Sequence, residues 1–180
     1  MKDFRTAKRY SKALLQLAEE QNKVDVVSKD FVLIETVIKT SRDFYLFLKS
    51  PIINTEKKKI ILRDIFKNKI DELTLKFILL ITDKGREMIL PTILLQYREL
   101  LDEKQRIVEA NIVTAIPLSE HQTEILTNKL KQITKKNVRI KTMYDSSIIG
   151  GFKVRIKDMV LDGTISYQLE KLKEKLNIIK

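Results

Sequence analysis

The chain has 180 residues and a formal net charge of +11, with 43% apolar and 33% charged residues, four glycines, three prolines and no cysteine. That length suits one large domain or two small ones, and the apolar fraction is too high for a disordered chain. Without cysteine there is no disulfide framework and no thiolate metal site, and so few glycines and prolines predict long, uninterrupted helices.

No window approaches the ~18 consecutive apolar residues that a membrane-spanning helix needs. The longest apolar run, residues 77–81, suits a buried helix. The start, Met1-Lys2-Asp3-Phe4-Arg5, lacks the apolar core of a signal peptide. The sequence therefore reads as a soluble protein whose membrane link is indirect. The positive charge invites a nucleic-acid reading. However, the basic residues are spread along the whole chain and mixed with acids, and the densest run, Lys57-Lys58-Lys59, sits beside Glu56 and Asp64. That is the pattern of a solvated helix face.

Residues 4–21 predict a helix, with Ala7, Tyr10, Ala13, Leu14, Leu17 and Ala18 at three-four spacing and Lys8, Arg9, Lys12, Gln16 and Glu19 opposite. Its small alanines permit close approach of a neighbour. A second helix spans about 24–39 and turns Val27, Phe31, Ile34 and Ile38 to one side. The aromatic-rich residues 42–48 form a short third helix, stopped at Ser50-Pro51 because the residue before proline avoids helical backbone angles. Thr55 is expected to cap a fourth helix to about Lys67, with Ile60, Ile61, Ile65 and Phe66 inward. Residues 71–83 give a fifth, centred on Leu73, Phe77, Leu80 and Ile81, and Lys84-Gly85-Arg86 stops it with glycine and cations at its negative end. Pro91 belongs in the first turn of a sixth helix that runs through Leu94, Tyr97 and Leu101 to about Lys104. These elements predict a six-helix bundle.

Past residue 105 the period falls to two. Val108, Ala110, Ile112, Thr114 and Ile116 share one face of a strand that Pro117 ends. Ser119, with Gln122 three residues on, is a capping box opening a helix expected to bury Ile125, Leu126, Leu130 and Ile133. A second strand alternates Val138, Ile140, Thr142 and Tyr144 with Arg139, Lys141 and Met143. Then comes the stretch holding three of the four glycines. Gly150-Gly151 marks a bulge or a turn needing positive φ, and Phe152, Val154 and Ile156 alternate with Lys153, Arg155 and Lys157 in a third strand. A short strand at 159–161, a turn at Asp162-Gly163 and an N-cap at Thr164 lead into a last helix. That helix carries Ile165, Leu169, Leu172, Leu176 and Ile179 at four-three spacing, a narrow seam for its own sheet or for another helix. The second half is thus β-α-β-β-β-α. The expected domains are 1–105 and 106–180, an α + α/β chain in which a helical bundle precedes a smaller α/β domain.

The residues that carry enzyme chemistry are missing. No G-x-x-x-x-G-K-[ST] or G-x-G-x-x-G occurs. His121, the single histidine, lies among polar residues in the first turn of a helix, without metal-ligating partners at a useful spacing. Asp145 and Asp162 are explained as turn formers, and Ser146-Ser147 has no associated base. Gly150-Gly151 does not match the G-x-x-G clamp of RNA-binding KH modules, because the glycines are adjacent and a strand follows. A basic RNA-binding adaptor is the alternative that the charge alone would support.

The assembled motifs resemble the δ subunit of F-type ATP synthases, related to the mitochondrial oligomycin-sensitivity-conferring protein. The resemblance covers essentially the whole chain. It rests on Ala7-Lys8-Arg9-Tyr10-Ser11-Lys12-Ala13-Leu14 at the front, on Phe47-Leu48-Lys49-Ser50-Pro51 and on Lys84-Gly85-Arg86. The most specific match runs from Asp145 through Gly150-Gly151-Phe152 to Asp162-Gly163-Thr164. One departure is visible: the family often continues after Asp162-Gly163 with serine and a basic residue, where this chain has Thr164-Ile165-Ser166-Tyr167-Gln168.

The resemblance implies a stator subunit of a proton-translocating F-type ATP synthase, without an active site or a cofactor. In that family the helical domain holds an N-terminal helix of an α subunit on top of the catalytic head, and the α/β domain engages the b subunits of the peripheral stalk. It implies no nucleic-acid partner, no homo-oligomer, and a peripheral place on the cytoplasmic face of the bacterial cell membrane, reached only through the complex. The first and fifth helices are apolar over more of their circumference than a small bundle requires. A groove at Tyr10, Ala13, Leu14, Leu17, Phe77, Leu80 and Ile81 is therefore the expected seat of a partner helix. Gly150, Gly151, Asp162 and Gly163 form the structural signature of the second domain.

Overall fold

The computed structural model describes residues 2–177 and divides into two compact units, Met1–Leu101 and Asp102–Lys180. The chain is mostly helical with a small mixed sheet, an α+β architecture. The division falls inside the last turn of a helix rather than after it, a few residues ahead of the expected position.

The first unit holds α1 (Lys2–Glu20), α2 (Val24–Thr40), α3 (Arg42–Lys49), α4 (Thr55–Phe66), α5 (Glu72–Asp83), a 3-10 turn (Glu87–Ile89) and the greater part of α6 (Leu90–Lys104). Pro91 is the second residue of α6, where its missing N–H has no helical partner to lose. α5 ends in a Schellman-type turn: Arg86 N–H donates to the Ile81 carbonyl and Gly85 N–H to that of Thr82, with Gly85 at φ +61°. The core gathers residues from every helix, among them Leu14, Ile34, Leu48, Leu62, Ile81 and Ile93.

Buried polar groups fix the registers. The Ser11 hydroxyl donates to the Ile93 carbonyl at 2.8 Å, joining α1 to α6. Asp30 on α2 accepts from the Thr74 hydroxyl at 2.6 Å and from Asp71 N–H at 2.9 Å, clamping the start of α5. Lys58 on α4 pairs with Glu87 and donates to the Leu48 carbonyl at 3.4 Å, so one ammonium joins α4 to the end of α3 and to the 3-10 turn.

Three expectations for this unit are corrected. α4 is capped by Asn54, whose side chain accepts from Lys57 N–H at 2.8 Å, and Thr55 is the first helical residue. Its inward stripe is Lys58, Leu62 and Phe66, so the Lys57-Lys58-Lys59 run is not wholly a solvated face, while Ile60 and Ile61 are exposed and Ile65 is half-buried. The helix is rotated because the Lys58 ammonium has a carboxylate and a carbonyl to bury against, which a hydrophobicity pattern does not register. On α5, Leu80 is exposed rather than central.

The second unit is built from β1 (Ile107–Thr114), α7 (Glu120–Thr134), β2 (Asn137–Tyr144), β3 (Phe152–Ile156), β4 (Met159–Asp162) and α8 (Ile165–Asn177). The strand order is β2-β1-β3-β4, with β1 and β2 parallel and the other pairs antiparallel. β1 is central, and Val108, Ala110, Ile112 and Thr114 alternate inward along it. Leu126 and Leu130 of α7 complete a core with Val154 and Ile156. Ser119 and Gln122 form the expected capping box, with bonds of 3.2 Å and 2.9 Å.

Here too the inward sets are narrower than expected. Ile116 lies beyond the end of β1 and is exposed, because the strand stops at Thr114. Ile125 and Ile133 of α7 are also exposed. The helix buries a single Leu126–Leu130 edge against a small sheet. β2 is an edge strand, with Val138, Ile140 and Thr142 half-buried and Tyr144 exposed.

Candidate partner-binding surfaces

α1 and α5 meet edge-to-face at Tyr10 and Phe77, with ring centroids 6.4 Å apart. Arg86 donates to the Tyr10 hydroxyl at 2.9 Å, and its guanidinium carbon lies 5.5 Å from the ring centroid. Lys23, just past α1, pairs with Asp71 at the start of α5 at 2.9 Å. The end of α1 therefore stands beside the start of α5, and the two helices run antiparallel. Along this pair Leu14, Phe77 and Ile81 are buried, Leu14 to 1% exposure. Tyr10 is half-buried, and Ala13, Leu17 and Leu80 open to solvent.

The seven expected groove residues thus separate into three that belong to the core and four that reach the surface. Leu80 is 49% exposed and Leu17 39%. Covering either remaining surface with a partner is worth about 1 kcal/mol. Ala13, one turn before Leu17 on α1, is exposed and small. In the sequence Arg86 is a cation at a helix end and part of the Lys84-Gly85-Arg86 motif. Its contact with Tyr10, 76 residues away, carries no local signal.

The second unit keeps its glycines for a junction. Asp145 accepts from the Ser147 amide at 2.9 Å and from its hydroxyl at 2.6 Å, turning the chain out of β2. These bonds, the hydroxyl first, hold the Asp145 carboxyl below the usual aspartate range. Gly151 has φ +83°, and a Cβ there would lie 2.3 Å from the Gly163 carbonyl oxygen and 3.0 Å from Thr164 Cα. A Cβ on Gly150 would meet Ile165 Cδ1 at 2.7 Å. Gly163 N–H donates to the Phe152 carbonyl at 2.9 Å and Ile165 N–H to that of Gly150 at 3.0 Å. Asp162 accepts from the Thr164 hydroxyl at 2.7 Å and its amide at 3.1 Å, and Thr164 in turn accepts from Tyr167 N–H at 3.3 Å. The Thr164 hydroxyl foremost, then its amide, holds the Asp162 carboxyl low. The signature thus welds the entry of β3 to the start of α8 and fixes the direction in which α8 leaves.

α8 then carries its apolar seam without covering it: Ile165, Leu169, Leu172 and Leu176 are each between 44% and 66% exposed. Of the two destinations open to this seam, its own sheet is not the one taken, and Ile179 lies outside the described residues. A shallow apolar cavity of about 210 Å³ opens beside α7, lined by Leu118, Gln122, Ile125, Leu126, Lys129 and Phe152. Periodicity places Ile125 in the core, whereas it is exposed and lines this opening. His121 is exposed on the first turn of α7. Among the described residues no group of three or more His, Cys, Asp or Glu side chains is placed to hold a metal, and no helix is long and apolar enough to cross a membrane.

The candidate surfaces are therefore apolar strips and a helix junction. Residues 6–176 match the family described as ATP synthase delta (OSCP) subunit. The ATP synthase subunit delta of Chlorobaculum tepidum is 40% identical over 170 residues, covering 94% of each chain. The chain belongs to the ATP synthase delta (OSCP) family. The subunit delta of Clostridioides difficile is 38% identical over 172 residues, covering 95% of each chain. A chain of the Toxoplasma gondii mitochondrial ATP synthase hexamer shares the fold, with a TM-score of 0.70 at 22% identity over 94% of this chain and 96% of that one. As a member of this family the chain is a non-catalytic subunit of an F-type ATP synthase, part of the stator that links the catalytic head to the peripheral stalk. The RNA-binding alternative is not favoured.

Proposed function

We propose that the first unit seats an N-terminal helix of an α subunit of the catalytic head along the α1–α5 strip, and that the second unit engages the b subunits of the peripheral stalk. The observation that carries the head contact is the pair of exposed leucines, Leu17 and Leu80, flanking the Tyr10–Phe77 contact on antiparallel helices. An amphipathic helix laid there buries its apolar face on Leu17, Ala13, Tyr10 and Leu80, while Leu14, Phe77 and Ile81 hold the strip rigid from behind. In this reading α1–α6 act as the family's six-helix head-binding domain, and the complex holds the chain at the cytoplasmic face of the bacterial membrane. The protein catalyses nothing. It keeps the head from turning with the rotor, so that torque is not dissipated.

Calorimetric titration with a synthetic peptide from the N-terminus of the cognate α subunit tests the head contact. One-to-one binding with a negative heat-capacity change is expected. Leu17→Asp and Leu80→Asp should each weaken it by about tenfold or more without changing the circular dichroism, since both side chains already face water. Leu14→Asp is the poorer variant, because it places a carboxylate in the core and unfolds the unit. Unchanged affinity in both surface variants would put the helix elsewhere. No peptide binding, together with salt-sensitive binding to RNA, would restore the basic-adaptor reading.

A further inference from the structure

The charges on α8 are sorted around its apolar seam. In a heptad frame Leu169 and Leu176 occupy a, and Ile165 and Leu172 occupy d. The flanking e and g positions are Ser166, Gln168, Lys173 and Lys175, so both charged flanks are basic. Both glutamates of the helix, Glu170 and Glu174, fall at b and f on the far side. Among the described residues neither Lys173 nor Lys175 has an ion-pair partner. Lys171, at c, is drawn outward instead, with its ammonium 5.0 Å from the Tyr167 ring centroid. All four seam residues are exposed, and the helix is held at its root by the Gly150 and Asp162 bonds, so the seam is presented in a fixed direction.

From this sorting we infer that α8 is the element of the second unit that receives a partner, and that the partner is a helix with an apolar heptad seam flanked by acidic residues. Two copies of α8 set face to face offer no acidic residue at e or g to meet Lys173 or Lys175, so charge does not favour a homodimer. A basic-flanked helix repels the same two lysines. An acidic-flanked helix gains at Lys173 and Lys175 while it covers Leu169, Leu172 and Leu176. This inference rests on the stalk-docking reading of the second unit and adds the docking element and the partner's charge.

The test uses the full chain and two synthetic peptides with the same three-heptad leucine seam, one carrying Glu and the other Lys at every e and g position. The Glu peptide should bind one-to-one, more weakly at high salt, and about tenfold or more tighter than the Lys peptide. The double variant Lys173→Glu, Lys175→Glu should invert that preference, which a purely structural role for these lysines would not produce. Equal binding of the two peptides, or a preference unmoved by the double variant, overturns the inference. So does a concentration-dependent dimer in sedimentation that Leu172→Asp abolishes. The soluble part of the cognate b subunit is then titrated into wild type and into Leu172→Asp. Binding to both alike overturns the α8 assignment and leaves the stalk reading standing. No binding to wild type removes the stalk reading itself.

Discussion

In the first unit Leu14, Leu62, Phe66, Ile81 and Ile93 are sealed from water, and the buried polar groups join helices far apart in sequence: Ser11 to Ile93, Asp30 to Thr74, Lys58 to Glu87. In the second unit the core reduces to Val108, Ala110, Ile112, Leu126, Leu130, Val154 and Ile156. Around it Ile149, Phe152, Met159, Val160 and Leu161 and the α8 seam stay in contact with solvent. Apolar surface of that extent on a small domain marks an interaction site rather than a defect of packing. The first unit closes a core drawn from all its helices, whereas the second leaves the apolar seam of its last helix uncovered.

The largest test of this contrast is Gly151→Val. The new side chain meets the Gly163 carbonyl oxygen and a backbone conformation at φ +83° that valine does not tolerate. The second unit should lose about 3 kcal/mol or more and unfold, while the first keeps its helices. Hydrogen exchange read separately over the two units checks this, and native protection around β3 in the variant would sink the idea. Next in size is a matched pair of leucines. Leu62→Ala, at a fully buried site, should cost about 2–5 kcal/mol. Leu172→Ala, at a site 54% exposed, should stay within about 0.5 kcal/mol in the free chain and show its effect only when a partner helix is present. Denaturant midpoints separate these outcomes, and similar losses at both positions would mean that α8 is packed in solution.

The order of elements was legible in the sequence because their signals are local. Ser119 and Gln122 three residues apart, Gly85 after a helical stripe and Pro91 at a helix start all carry their meaning within one turn. Which side of a helix faces inward was less legible where long-range polar partners decide it. Lys58 is buried because Glu87 and the Leu48 carbonyl wait for it, and that turned Ile60 and Ile61 outward. Ile116, Ile125 and Ile133 fit an apolar period but find nothing to cover them, since the sheet is too small. Of the expected groove, periodicity chose two helices that do meet, at Tyr10 and Phe77. It does not separate Leu14, which packs behind, from Leu17, which faces out, because both lie on the same broad stripe.

The smallest effect is electrostatic and belongs to the first unit. Asp71 caps α5 by accepting from Leu73 N–H at 2.9 Å, and both its oxygens take the Lys23 ammonium at 2.9 Å. The Lys23 bond foremost, then the Leu73 amide, holds its carboxyl below the usual aspartate range. A carboxyl depressed in the folded state contributes stability above its unfolded value, about 4, and that contribution is lost as pH falls through the folded one. The first unit should therefore weaken on acidification below about pH 4. Asp71→Asn keeps a capping oxygen but loses the charge, so it should cost about 0.5–1 kcal/mol near neutrality and little in acid. Thermal melts of both proteins at about pH 7 and about pH 3 decide it. The gap between them should close at low pH, and a gap of constant size would mean that the Lys23 bridge contributes nothing to holding α1 against α5.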